Sequence, residues 1–355
     1  MSQQSQQHIP YLDGWRGVAI ILVLICHFGN REYAKIGEFG VQMFFVLSGF
    51  LMSRLLFIRQ VKINDFFAKR FSRIVPTFWL YIICVAIYAS IFQPEIYKVS
   101  FKELSSTLFF LRTYFPAAMN IWDERWPIGH VWSLNVEEHS YIYLAALALV
   151  CRYIKFRHAP TIFLLGSTLV VFGIGVQYGM HGAPSGASPW STRTECAALG
   201  LISAAALRVV REKSTIGWIQ RVSPLLPVLA FAIAILCFTS DIQKGSNKLI
   251  APLFLAFAIT YLDVVPMIIK RFLAWPVLCW FGTCSFSLYL WQHPFFVATQ
   301  HFGLSSLAGG ALAIMVGTLS FYSFENPIRL RLNRAWESRK ANRIIMVKMA
   351  EQTTV

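Results

Sequence analysis

Ionisable side chains inside apolar runs are the residues of this sequence best placed to do chemistry. Such a group at mid-bilayer costs at least about 2.5–3.5 kcal/mol on insertion scales, so one that survives there faces a cavity, a partner or a substrate. Arg16 opens the first apolar run and His27 closes it. Eleven residues are close to three helical turns, which sets the two on one face, about 16 Å apart along the axis. An imidazole in such a place can serve as general base or nucleophile. The same pair also fits a snorkelling arginine and an interfacial histidine that only anchor the helix. A second group is His130, Trp132, Ser133, Glu137, Glu138 and His139. Helical spacing places His130 and Glu137 on one face, with Tyr141 one turn beyond Glu137. A submerged carboxylate beside an imidazole orients it and raises its basicity, as general-base chemistry requires. The competing reading is a polar cap at the outer surface.

Three further groups carry polar chemistry. Lys69-Arg70-Phe71-Ser72-Arg73 precedes Pro76, and on a helical turn Arg70 and Arg73 are neighbours able to fork onto one phosphate. As a pattern this is weak, because cytoplasmic loops are basic anyway, and topogenic charge is the competing reading. Arg193 and Glu195 fit an ion pair, either partly buried or interfacial. Ser287, Tyr289, Trp291 and His293 form a polar run ahead of Pro294, which can kink a helix and free a carbonyl. The seven cysteines lie in apolar stretches without a CxxC pair, which suits free, buried thiols, and no metal site is expected.

The elements that must position these groups follow from composition. The chain has 355 residues, 56% hydrophobic and 14% charged, with a mean hydropathy of +0.54. A soluble domain carries about 25% charged residues, so this is an all-α polytopic membrane bundle. Ten segments reach the length a bilayer needs: 12–29, 39–58, 74–92, 132–151, 161–179, 194–210, 223–239, 247–265, 275–299 and 304–324. The first is expected to be a retained span rather than a signal peptide, because residues 1–8 contain no Lys or Arg. With the N-terminus inside, about two-thirds of the 32 Lys and Arg fall in inner segments, so both termini are expected in the cytoplasm. Basic clusters between apolar runs are loops at a membrane face, which argues against nucleic acid as a partner despite a net charge of +15. Residues 1–332 read as one membrane domain and 333–355 as a basic tail lying against anionic headgroups. The outer loop 93–131 suits a lid, an acceptor-side wall or a plain connector.

Together these pieces resemble acyltransferase family 3, the integral membrane acyltransferases that O-acetylate O-antigen, Nod factors and other extracytoplasmic glycans. The similarity runs from Tyr11 to about Leu332. It comprises Leu12-Asp13-Gly14-Trp15-Arg16-Gly17 with the Arg-x10-His spacing to His27, and the Gly40–Phe50 run containing Ser48. It continues with Arg70-x-x-Arg73 and Pro76, His130-x-Trp132-Ser133-Leu134-x-Val136-Glu137, and Arg193-x-Glu195 with Gly200. Ser287-Leu288-Tyr289-Leu290-Trp291 and Glu325-Asn326-Pro327 complete it. One departure stands out. Many members read Trp-His-x-Pro where this chain reads Trp291-Gln292-His293-Pro294, so His293 is given no role.

The resemblance implies cytoplasmic acetyl-CoA as donor, without a metal, and a glycan hydroxyl as acceptor, in a bacterial inner membrane. Arg70 and Arg73 would hold the coenzyme phosphates and Arg16 the entrance to the bundle. His27 would be the base or acyl carrier, and Glu137 its partner. Ser48, Tyr289 or Trp291 would supply oxyanion donors, and His130, Trp132, Arg193 and Glu195 would face the substrate. No esterase-like domain follows the last span, so the membrane domain is expected to act alone or with a partner. The alternative is a proton-coupled transporter or lipid-linked glycan translocator, since intramembrane His, Glu and Arg also build proton relays.

Overall fold

The computed structural model describes residues 9–29, 34–92, 100–115, 128–154, 156–182, 189–239 and 246–353. Arg31, Lys98, Arg125, Lys155 and Lys244, all used in the charge count, fall outside these, as do 93–99 and 116–127 of the long outer loop. Among the described residues the regular structure is helical, without a strand. In chain order the helices are α1 (Pro10–Phe28), α2 (Ala34–Ser53), α3 (Ile63–Phe92), α4 (Phe101–Leu108), α5 (Trp132–Ile154) and α6 (Ala159–His181). Then follow α7 (Thr194–Ala197), α8 (Leu199–Lys213), α9 (Gly217–Gln220), α10 (Leu225–Thr239), α11 (Ser246–Leu249) and α12 (Ala251–Thr260). The last four are α13 (Met267–Leu273), α14 (Pro276–His301), α15 (Ser306–Ser320) and α16 (Asn326–Thr353).

Each of the ten apolar segments is helical over most of its length, but they are not equal as spans. Among the described residues, five stretches are long and apolar enough to cross a membrane: Pro10–Phe28, Lys35–Ile58, Ile63–Ile91, Ala159–His181 and Ser306–Arg343. α13 and α14, bent by 53° at their junction, make a sixth when taken as one span. By contrast α10 and α12 have 15 and 10 residues. At 1.5 Å per residue they reach about 22 and 15 Å, short of a hydrocarbon core of about 30 Å. α5 is long enough but carries Glu137, Glu138 and Arg152.

Two packing features place the site. Without a hydrophobic force between helices in lipid, close association needs small residues at the contact. Gly14 and Gly17 of α1 and Gly282 of α14 supply them. A Cβ on Gly17 would overlap the Leu278 carbonyl, and one on Gly282 would overlap that of Asp13. The α1 and α14 backbones therefore touch, which carries His27 to the side of Gln292. The second feature is the start of α3. It begins at Ile63, eleven residues before the expected span, so Arg70 and Arg73 lie on the helix rather than in a loop. α16 braces that extension from outside. Trp336 Nε1 donates to Asp65 Oδ1 at 2.8 Å, Lys340 Nζ reaches Asp65 Oδ2 at 2.7 Å, and Ser72 Oγ donates to Asn333 Oδ1 at 2.9 Å.

Candidate active site

Arg16, Arg70, Arg73 and Glu137 line one cavity, together with Ser48, Ser133, Tyr141 and Tyr289. It is formed where α1, α2, α3, α5 and α14 converge. Ser48 Oγ donates to Glu137 Oε1 at 2.9 Å and Tyr141 Oη to Glu137 Oε2 at 2.8 Å. The Arg70 guanidinium lies over the Tyr141 ring, 4.5 Å from its centroid. Arg16 pairs with Asp13 at 3.3 Å, one helical turn away. Neither Arg70 nor Arg73 is ion-paired with an acid among the described residues. With Arg16 on Asp13, Arg70 and Arg73 share the one carboxylate of the lining, Glu137, which leaves an excess of positive charge on the cavity wall. Such a cavity is built for an anion, and phosphate oxygens match the guanidinium fork.

His27 lies in a second cavity, lined also by Glu38, Val41, His130, Trp132, Thr192, Lys248 and Tyr289. His27 Nδ1 is hydrogen-bonded to Gln292 Oε1, and its ring lies against Phe296 at 4.5 Å. With that amide oxygen accepting from Nδ1–H, Nε2 keeps its lone pair and is the nitrogen able to take a proton. His293 stacks on His130 at 4.5 Å and meets His27 edge-on at 5.9 Å. Lys248 pairs with Glu38. The two cavities offer about 700 and 740 Å³ including their mouths, within the range of small-ligand sites. Their walls share two residues, Val41 and Tyr289. Among the described residues no cluster of His, Cys, Asp and Glu is arranged to hold a metal ion.

Comparison with known proteins fits this arrangement. The family model described as Acyltransferase domain matches residues 9–323. The chain belongs to acyltransferase family 3. Peptidoglycan O-acetyltransferase OatA of Listeria monocytogenes is 28% identical over 368 residues, covering 92% of this chain and 57% of that protein. O-acetyltransferase OatA of Staphylococcus aureus is 26% identical over 359 residues, covering 92% of this chain and 58% of its own length. The acyltransferase family chain thus spans a little over half the length of these curated relatives. No solved structure gives a significant match.

Placed on this family frame, the predicted residues divide. Arg16 and His27 lie on the single helix α1 and line the two cavities in turn, as the eleven-residue spacing requires. Arg70 and Arg73 join Arg16. Glu137, however, is not the partner of His27: its hydrogen bonds go to Ser48 and Tyr141 in the arginine cavity. The reason is local. His130 belongs to a 3₁₀ turn, Gly129–Val131, ahead of α5. That tighter winding breaks the helical phase that would have set His130 and Glu137 on one face. Two of the three expected oxyanion donors are engaged elsewhere: Ser48 serves Glu137, and Tyr289 Oη serves His130 O and Ser133. Trp291 lines a third, apolar cavity with Cys84 and Pro294, and its indole N–H has no hydrogen-bond partner among the described residues.

Arg193 and Glu195 line neither main cavity. Arg193 Nε donates to Glu195 Oε1 at 2.7 Å, Tyr114 Oη donates to Glu195, and the Thr194 amide donates to Tyr114 at 2.9 Å. Burial and the Glu195 carboxylate push the Tyr114 hydroxyl up to about 12, so it stays a donor. This fastener holds the segment that brings Ser191 and Thr192 to the histidine cavity. Sequence reasoning missed Gln292, Glu38 and Lys248. A signal existed only for Gln292, which occupies the position where the family pattern carries a histidine.

Proposed function

We propose that the chain is a membrane O-acetyltransferase that moves an acetyl group from cytoplasmic acetyl-CoA to a hydroxyl of an extracytoplasmic glycan. The observation that carries this reading is the pair of cavities meeting at Val41 and Tyr289, one lined by three guanidiniums and the other holding an oriented imidazole. Arg70 and Arg73 grip the coenzyme phosphates and Arg16 lies at the mouth of the bundle. The pantetheine arm is of the same order as the ~16 Å rise from Arg16 to His27, so the thioester reaches the base while the nucleotide stays behind. Glu137, held by Ser48 and Tyr141, balances part of the arginines' charge. His27 Nε2 takes the acceptor's hydroxyl proton as the oxygen attacks the thioester carbonyl. The carbon–oxygen bond forms, the carbon–sulfur bond breaks, and the proton passes to the departing thiolate. Gln292 keeps the imidazole in the required tautomer.

The acceptor is a surface glycan such as O-antigen or, as the names of the relatives suggest, peptidoglycan. Positive charge concentrated on inner loops supports ten membrane segments with both termini in the cytoplasm of a bacterial inner membrane, with the short α12 packed among its neighbours and α10 on the outside of the bundle.

The test gives labelled acetyl-CoA to inverted membrane vesicles, cytoplasmic face outward, that contain native glycans. Wild type should label the glycan fraction. His27→Ala should abolish label while leaving donor binding intact, and Arg70→Ala should weaken donor binding about tenfold or more, the worth of a charged hydrogen bond. Full activity in His27→Ala would overturn the mechanism. A wild type that neither binds acetyl-CoA nor labels glycan would instead favour a transporter.

A further inference from the structure

The wall between the two cavities has a consequence for which acyl groups can cross it. Val41 and Tyr289 line both cavities, so a donor that reaches His27 from the arginines on the proposed route passes these two side chains. Both are stiff. Tyr289 is 6% exposed, and its hydroxyl is held twice, donating to His130 O at 2.5 Å and pairing with Ser133 Oγ at 2.7 Å. Its ring also packs against that of His130 at 5.1 Å. Val41 is 8% exposed in the interior of α2, where a β-branched side chain has one strongly preferred rotamer. Neither can turn aside without breaking buried contacts.

We infer that Val41 and Tyr289 determine donor specificity by width, admitting unbranched, uncharged acyl thioesters and rejecting branched ones. This rests on the proposed donor route. A straight acyl chain is no wider than the β-alanyl-cysteamine end of the arm that follows it, whose amides are flat and whose branched gem-dimethyl carbon stays beside the phosphates, so chain length is not what the slot measures. A methyl branch beside the carbonyl is thicker than that end of the arm and must displace one wall. A mismatch of one methyl group in a shaped apolar site commonly changes rates about tenfold or more. Carboxylated acyl groups meet a second barrier, because the slot walls are a valine and a tyrosine ring and offer no cation.

The test compares acetyl-, butyryl- and isobutyryl-CoA as labelled donors in the same inverted vesicles. Butyryl and isobutyryl have equal carbon number and differ in width. Wild type should use butyryl-CoA at least about tenfold faster than isobutyryl-CoA. Val41→Ala widens the slot from α2, and Tyr289→Phe keeps the ring but releases both hydrogen bonds. Each should raise the isobutyryl-to-butyryl ratio about tenfold while acetyl transfer continues, which shows that the protein is folded and loaded. Equal use of the two isomers by wild type, or an unchanged ratio in both variants, would overturn the inference. So would acetyl transfer with neither four-carbon donor used by any of the three proteins. If wild type transfers nothing from any thioester, the donor reading itself falls, and the slot falls with it.

Discussion

Gln292 shows what one neutral amide contributes. It is fully buried, its oxygen meets His27 Nδ1, and its Nε2 points to the Tyr289 carbonyl at 3.4 Å. Gln292→Ala should leave donor affinity unchanged and lower turnover about ten- to hundredfold, a part of the 10²–10⁴ that a positioned base contributes. A KM-against-kcat comparison in vesicles checks it, and equal loss in donor binding would mean that the amide is structural. Reading the sequence finds His27 and misses Gln292 for a physical reason. The Arg16–His27 spacing lies within one helix, where the period of 3.6 residues fixes which side chains share a face. The His27–Gln292 contact joins residues 265 apart, and only the packing of α1 on α14 creates it. Glu137 was misassigned on the same ground: its spacing from His130 is informative only along an unbroken helix.

At the scale of elements, the glycine contact between α1 and α14 is the joint on which both cavities depend. Gly17→Val should lower thermal stability in detergent, because overpacking costs about 1–3 kcal/mol, or more where the obstacle is backbone. A variant as stable as wild type would show that the two backbones can part without harm. The helices themselves were largely legible from apolar runs, since burying backbone polar groups in lipid leaves helix as the solution. Their ends were less so. α3 runs back to Ile63 because its amphipathic first turns are held by α16 through Asp65, Trp336 and Lys340, a contact across more than 270 residues. Nor does hydropathy alone separate the short, buried α12 from a full span, because burial among other helices selects the same apolar residues as lipid does.

For the whole molecule, the proposed donor route runs from the arginine cavity to the histidine cavity. Arg70 and Arg73 follow on α3 from the π-helical extension of α2, Arg54–Ile58, and the turn that carries Arg59 and Lys62. The histidine cavity lies beyond the wall. If the two cavities open toward opposite faces, as proposed, the slab between Val41 and Tyr289 is also a stretch of the membrane's electrical insulation. Only a few side chains there separate two water-accessible vestibules, one of them rich in histidine. A cell that expresses such a protein depends on that thin partition to hold its proton gradient. Val41→Ala should therefore raise the passive proton permeability of vesicles, read as faster collapse of an imposed pH difference with a fluorescent dye. An unaltered decay rate would place the seal elsewhere. The same narrowness that selects the acyl group would then have a second role, in keeping the membrane energised while acyl groups pass through it.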